Sequence, residues 1–238
     1  MRLCLLSVAA SVVLTACTEA AQQPVKNGST TPLSQQPQTA TAVPAQTKPD
    51  VSPSTTPSAP LADVRGALKR VYHDAVLLET SRSTPFVIGD FNGDDSPDIA
   101  IVVTPAKGKL PKINSELASW IVGDPQKVLL PEVRGDVKVF PKKPETVAVQ
   151  QGDVLLAVIH GYQKEGWRNP LSAQTYLLKN AVGDEMEAQP ARVILRLAAH
   201  RENLPPLRGD VIREMLAQQN GFIYWTGAKY AWTQLENH

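Results

Sequence analysis

Oxygen-bearing side chains stand at alternating positions in one short stretch: Asp90, Asn92, Asp94 and Asp98 occupy relative positions 1, 3, 5 and 9 of Asp90-Phe91-Asn92-Gly93-Asp94-Asp95-Ser96-Pro97-Asp98. Val87-Ile88-Gly89 precedes this stretch and Ile99-Ala100-Ile101-Val102 follows it, so it reads as a tight loop between two strands. A hard cation such as Ca²⁺ takes six to eight oxygens at roughly 2.3 to 2.6 Å. These four side chains supply much of such a shell, and the carbonyl of Ser96 with water would complete it. Three carboxylates crowded together repel one another at neutral pH, which is the physical reason to expect an ion. Mg²⁺ suits the loop less, because it prefers few protein ligands in a near-ideal octahedron. An EF-hand needs a Glu at relative position 12, and Ile101 stands there. Calcium is therefore the expected cofactor. The other reading is a solvated acidic turn with no ion.

The remaining chemistry-bearing residues are sparser. His160-Gly161 follows the apolar run 154–159 as an oxyanion-loop motif of α/β-hydrolases would, but no Gly-x-Ser-x-Gly nucleophile elbow occurs anywhere. A strand-end histidine with satisfied hydrogen bonds is the competing reading. The histidines at 73, 160, 200 and 238 have no zinc-ligand spacing. Trp167, Trp225, Tyr230 and Trp232 offer a possible face for a glycan or peptide, since aromatic rings combine apolar surface with polar edges; the alternative is packing within a core. Arg134-Gly135-Asp136 and Arg208-Gly209-Asp210 spell an adhesion tripeptide, yet Gly-Asp occurs seven times and reads as a recurrent strand entry.

Short β-branched runs dominate the elements that must position these groups. Strands are expected at 86–88, 99–103, 154–159, 175–178, 193–197, 211–215 and 222–225, the last turning through 226–228 into a closing hairpin with 229–233. Helical spacing of Val64, Leu68, Val71 and Tyr72 predicts a helix capped by Asp63, and a second helix is expected over 114–121. The expected class is α+β, predominantly antiparallel β with one or two short helices. With 24 Lys and Arg against 23 Asp and Glu, the charge balance excludes a general nucleic-acid binder. Both cysteines, Cys4 and Cys17, fall near the start, so the later chain has neither a disulfide nor a thiolate metal site.

Residues 1–16 read as a signal peptide: a positive start, then an apolar run shorter than the about 20 residues that span a bilayer. Leu14-Thr15-Ala16-Cys17 resembles the lipobox of bacterial lipoproteins, which implies cleavage before Cys17 and acylation of its thiol, palmitate included. Thr18 rather than Asp after the cysteine implies, by analogy with Gram-negative lipoproteins, the outer membrane, with either leaflet open. Residues 17–60 form the lipidated Cys and a Pro/Thr/Gln/Ser-rich tether that buries too little apolar surface to order itself. Residues 61–238 are expected to form one β-rich domain in the cell envelope.

Gly89-Asp90-Phe91-Asn92-Gly93-Asp94-Asp95-Ser96-Pro97-Asp98-Ile99-Ala100-Ile101-Val102 resembles the calcium loop of FG-GAP and VCBS-type repeats, with Asp95 where that family usually has Gly. The loop occurs once, whereas a propeller needs about four to eight blades, so a complete propeller is not expected. The resemblance implies calcium binding; taken with the lipobox, the expected protein is a membrane-tethered lipoprotein whose calcium-stabilised, non-catalytic domain binds an unknown protein or glycan. The alternatives are an inhibitor of an envelope-directed hydrolase such as lysozyme, or an envelope hydrolase using His160 or metal-activated water.

Overall fold

The computed structural model describes residues 59–130, 132–134, 137–139, 145–172, 174–197 and 204–235, all within the unit Pro53–His238. The signal peptide, Cys17 and nearly all of the tether lie outside the described residues.

Alternation along one strand explains the layering. In β3 (Asp98–Pro105) the side chains of Ile99, Ile101 and Val103 enter one core and those of Ala100 and Val102 another, because successive residues point to opposite faces. β7 (Leu155–Ile159) beside it divides its residues in the same way and is buried throughout. Buried on both faces, these two strands read as continuous apolar runs. The first core is covered by α1 (Leu61–Tyr72), which turns Val64, Ala67, Leu68 and Tyr72 inward. Full burial of a large apolar side chain of this kind contributes roughly 1.5–3 kcal/mol. The second core lies against another sheet.

The first sheet runs β1-β3-β7-β8-β4, where β1 is Val76–Leu78, β4 is Ile121–Gly123 and β8 is Thr175–Lys179. β2 (Phe86–Gly89) also pairs with β3. Val76 to Leu78 pair with Pro105 to Val103, and Phe86 to Gly89 pair with Ile101 to Asp98, so β1 and β2 share one edge of β3 end to end. Among the described residues, only the β4–β8 pairing is parallel. The second sheet is an antiparallel meander of β12 (Tyr230–Gln234), β11 (Gln219–Trp225), β10 (Val211–Leu216) and β9 (Glu187–Gln189). Its outer face receives Ile194 of α3 (Ala191–Leu197) against Phe222 and Tyr224. A short ribbon of β5 (Glu132–Arg134) and β6 (Val137–Val139) stands apart from both sheets. The described residues thus form three α-helices and ten strands in two mostly antiparallel sheets, plus this ribbon. Neither sheet closes, and the fold is α+β without a propeller.

Four local expectations are corrected. Residues 193–197 are helical, since Pro190 starts a turn through the Val193 N–H to Pro190 carbonyl bond, and only Ile194 of α3 is buried. The second helix falls earlier, as α2 (Leu110–Ile113), where Pro111 fits the first turn. Residues 116–120 instead form turns and bends, and the Trp120 ring packs on Tyr72 at 5.5 Å between centroids while its Nε1 donates to the Ile113 carbonyl. Asp63 lies inside α1, after Pro60, and its carboxylate pairs with Arg168 Nε at 3.2 Å. The folded core also begins slightly before residue 61, because Ala59 is buried in the first core.

Candidate functional site

β2 and β3 form a hairpin whose last register pair is Gly89 with Asp98, and the acidic loop closes it. Its backbone bends at Gly93 and at Asp95, which have φ of 77° and 64°. Glycine enters the left-handed region without strain, whereas Asp does so at a cost that local hydrogen bonds offset. Asp90 provides them: its Oδ1 accepts from the N–H groups of Gly93 at 2.8 Å and Asp94 at 3.0 Å, and its Oδ2 accepts from Asp95 N–H at 3.0 Å. Asn92 Oδ1 accepts from Asp94 N–H at 3.0 Å. Asp94 Oδ1 accepts from Ser96 N–H at 2.8 Å, and its Oδ2 accepts from Asn92 Nδ2 at 2.9 Å.

Asp98 is the buried end of this system. Fully inaccessible to solvent, it accepts from Phe91 N–H at 2.8 Å, Asn92 N–H at 3.2 Å and Gly161 N–H at 2.6 Å. Burial pushes its carboxyl up to about 7, against the lowering effect of those three N–H donors, and neighbouring Asp94 adds to the rise.

The loop is also the meeting point of three chain segments. Trp167 N–H donates to the Pro97 carbonyl at 2.8 Å, and that carbonyl lies where a side chain on either Gly161 or Gly166 would have to pass. On the other side, Asp210 N–H donates to the Asp90 carbonyl at 2.6 Å while Asp90 N–H donates to Asp210 Oδ2 at 3.1 Å. Arg208-Gly209-Asp210 is thereby packed onto the loop: a Cβ on Gly93 would come within 2.1 Å of the Arg208 carbonyl oxygen. The sequence reading missed Asp210 and Gly161 as partners of the loop. The recurrent Gly-Asp pairs were the only signal for Asp210, and these mark strand entries without saying which two interlock; Gly161, followed by Tyr162, carried no such signal. The other tripeptide, 134–136, falls partly outside the described residues.

All five expected metal ligands, Asp90, Asn92, Asp94, Ser96 and Asp98, therefore sit on one loop. Their oxygen chemistry suits a hard cation. The same carboxylate oxygens already accept backbone N–H groups, so an ion would use their remaining lone pairs. Among the described residues, no three His, Cys, Asp or Glu side chains converge as a metal-holding group. The Ser96 side chain and backbone are mostly buried, whereas Asp94 and Asp95 face solvent.

The anticipated aromatic face is corrected. Trp167 belongs to the first core and Trp225 and Tyr230 to the second, on opposite faces of the six-stranded sheet; only Trp232 is partly exposed. Their apolar area is consumed by packing. Trp225 and Tyr230 instead form a buried cluster with Tyr176 and His160, with ring centroids 5.1 to 5.7 Å apart. His160 Nδ1 lies 3.0 Å from Gln174 Oε1 and its Nε2 lies 2.6 Å from the Tyr230 hydroxyl. Those partners fit a neutral ring that donates from Nδ1 and accepts at Nε2, and burial holds its pKa below the usual histidine value. Burial likewise raises the Tyr230 hydroxyl well above the usual tyrosine value.

No family model, curated protein or solved structure matches the chain. No helix among the described residues is long and apolar enough to cross a membrane.

Proposed function

We propose that this chain is an envelope lipoprotein, anchored through Cys17 at the outer membrane, whose folded unit is a calcium-stabilised, non-catalytic binding module. The observation that carries the reading is the placement of the acidic loop: Asp90 and Asp98 together hold the β2–β3 hairpin, the Gly161–Trp167 turn and the entry to β10. An ion on Asp90, Asn92, Asp94, the Ser96 carbonyl and Asp98 would reinforce a junction that the backbone already makes, and would fix the surface that meets a protein or glycan partner. The chemistry such an ion supplies is charge neutralisation and cross-linking of oxygens, with no reaction step required. A catalytic reading has less support, because His160 is buried and both of its nitrogens are engaged. Calorimetric titration of the metal-stripped full chain with Ca²⁺ and with Mg²⁺ tests the proposal. Saturable, calcium-selective heat that Asp94→Ala removes is expected, and absence of calcium heat overturns the metal reading.

A further inference from the structure

β1 ends the first sheet, and no strand among the described residues lies beyond it. Its bonds to β3 decide which backbone groups are left over. Ala106 N–H donates to the Ala75 carbonyl at 2.9 Å and Glu79 N–H donates to the Val102 carbonyl at 3.0 Å, on either side of the register pair Leu77 and Thr104. Antiparallel residues alternate between bonded and non-bonded pairs, so Ala75, Leu77 and Glu79 turn their backbone groups to β3. The N–H and carbonyl groups of Val76 and Leu78 therefore point outward from the sheet. Such an edge is a template for another strand, and proteins commonly blunt it with lysine or proline. Val76-Leu77-Leu78 contains neither, and the Leu77 side chain is 57% exposed.

An open groove of about 450 Å³ runs along this edge, and its other bank carries the exposed side chains of Arg65 and Lys69 in α1 and of His73 just after it. Arg65 and Lys69 are four residues apart and share one side of the helix. No carboxylate among the described residues pairs with either of them. Asp74, which also borders the groove, is held by Lys109 and by Lys112 at 3.0 Å, two lysines to one carboxylate. Glu79, past the end of β1, accepts from Ser81 N–H at 2.9 Å. Uncompensated positive charge thus lies beside a bare strand edge. We propose that this edge takes an extended acidic segment of a partner protein as an added strand, bonded to the backbone of Val76 and Leu78. Val76 and Leu78 pack toward the first core beneath α1, and Leu77 points to the opposite face. Side chains of the added strand alternate in the same way, so its acidic residues face Arg65 and Lys69 while its apolar residues lie beside Leu77. Strand addition of this kind draws affinity from main-chain bonds and specificity from alternate side chains. The inference rests on the reading of the folded unit as a binding module, and it involves no residue of the acidic loop.

The test titrates the full chain into fluorescein-labelled peptides of about eight residues and follows anisotropy. The probes are a peptide of alternating Glu and Val, its counterpart of alternating Lys and Val, and the Glu-Val peptide N-methylated at every second residue, which cannot pair with a strand edge. Saturable binding of the Glu-Val peptide is expected, about tenfold or more tighter than the Lys-Val peptide and lost on N-methylation. Arg65→Glu combined with Lys69→Glu, at exposed positions, is expected to weaken the Glu-Val peptide about tenfold. Absence of saturable binding, equal affinity for the acidic and basic peptides, or an affinity unmoved by N-methylation or by the charge reversal would each overturn the inference. Two further outcomes would also overturn it: self-association of the chain that excludes the peptide would assign the edge to a second copy, and binding to phosphatidylglycerol vesicles without binding of the peptide would assign the charges to a lipid surface. The calcium titration is read separately, so failure of the strand edge and failure of the metal site are distinguishable.

Discussion

Asp98 shows how much one buried carboxylate can organise. Its two oxygens satisfy three backbone N–H groups, two in its own loop and one on Gly161. Asn in its place offers one acceptor oxygen and turns an amide N–H₂ toward donors, leaving buried N–H groups unpaired at roughly 1–3 kcal/mol each. Asp98→Asn is therefore expected to lower the unfolding free energy by about 2–3 kcal/mol in urea titrations, and an unchanged midpoint would remove Asp98 from this role. Asp95 tests the left-handed backbone. Asp95→Gly is expected to change stability by less than about 1 kcal/mol, whereas a β-branched Asp95→Val costs roughly 1–2 kcal/mol. The sequence made the loop residues and their spacing legible, because the pattern is local. It did not reveal Gly161 or Asp210, whose contacts with the loop depend on how distant segments return. Nor did it separate surface aromatics from core aromatics: Trp167 and Trp225 look alike in a string of letters, and only the sheet between them shows that they serve different cores.

Elements were legible where periodicity and turn chemistry agreed. The β11–β12 hairpin was expected around Thr226-Gly227-Ala228, and its turn is closed by the Thr226 N–H to Lys229 carbonyl bond at 2.9 Å, with Gly227 at φ 96°. The β10–β11 connection carried no comparable signal, since Ala217 and Gln218 adopt φ of 50° and 64° without glycine or asparagine. Val193-Ile194-Leu195 favours a strand by composition, and Pro190 with the outer face of the second sheet makes it a helix. α1 was legible by its spacing, but its closest tie to the sheet was not: the Tyr72 hydroxyl lies 2.8 Å from the Tyr176 carbonyl and 3.1 Å from that of Val158, joining the helix to two strands. Tyr72→Phe leaves the ring in place and removes that donor, with an expected loss of about 1–2 kcal/mol in chemical denaturation. An unchanged stability would mean that the hydroxyl contributes nothing net to the junction.

At the scale of the molecule, two buried carboxyls set the response to pH. Glu214, mostly buried in β10, is raised from 4.5 to about 7 by burial, with hydrogen bonds from Gly183 and Met215 opposing the rise. Asp98 is raised from 3.8 to about 7, also by burial first. For both groups the folded state holds the proton more tightly than the unfolded state. Their contribution is thus fully present below pH about 4 and is lost as pH rises through about 7. Stability at fixed salt should fall across that window, with a Glu214 share on the order of 3 kcal/mol. Glu214→Gln should flatten the slope, and a slope unchanged by that substitution would contradict the assignment. Bound calcium favours the ionised form of Asp98, so it should offset the Asp98 share of the loss at higher pH. This links the loop to the stability of the whole unit. The direct measurement is thermal unfolding of the full chain with chelator, with calcium and with magnesium, repeated for Asp94→Ala. An ion that binds only the folded state adds about 2.7 kcal/mol at one hundred times its Kd. A rise of several degrees with calcium, smaller with magnesium and absent in Asp94→Ala, is the predicted result. Equal melting temperatures with chelator and with saturating calcium would contradict the account and leave the loop as a turn closed by its own hydrogen bonds.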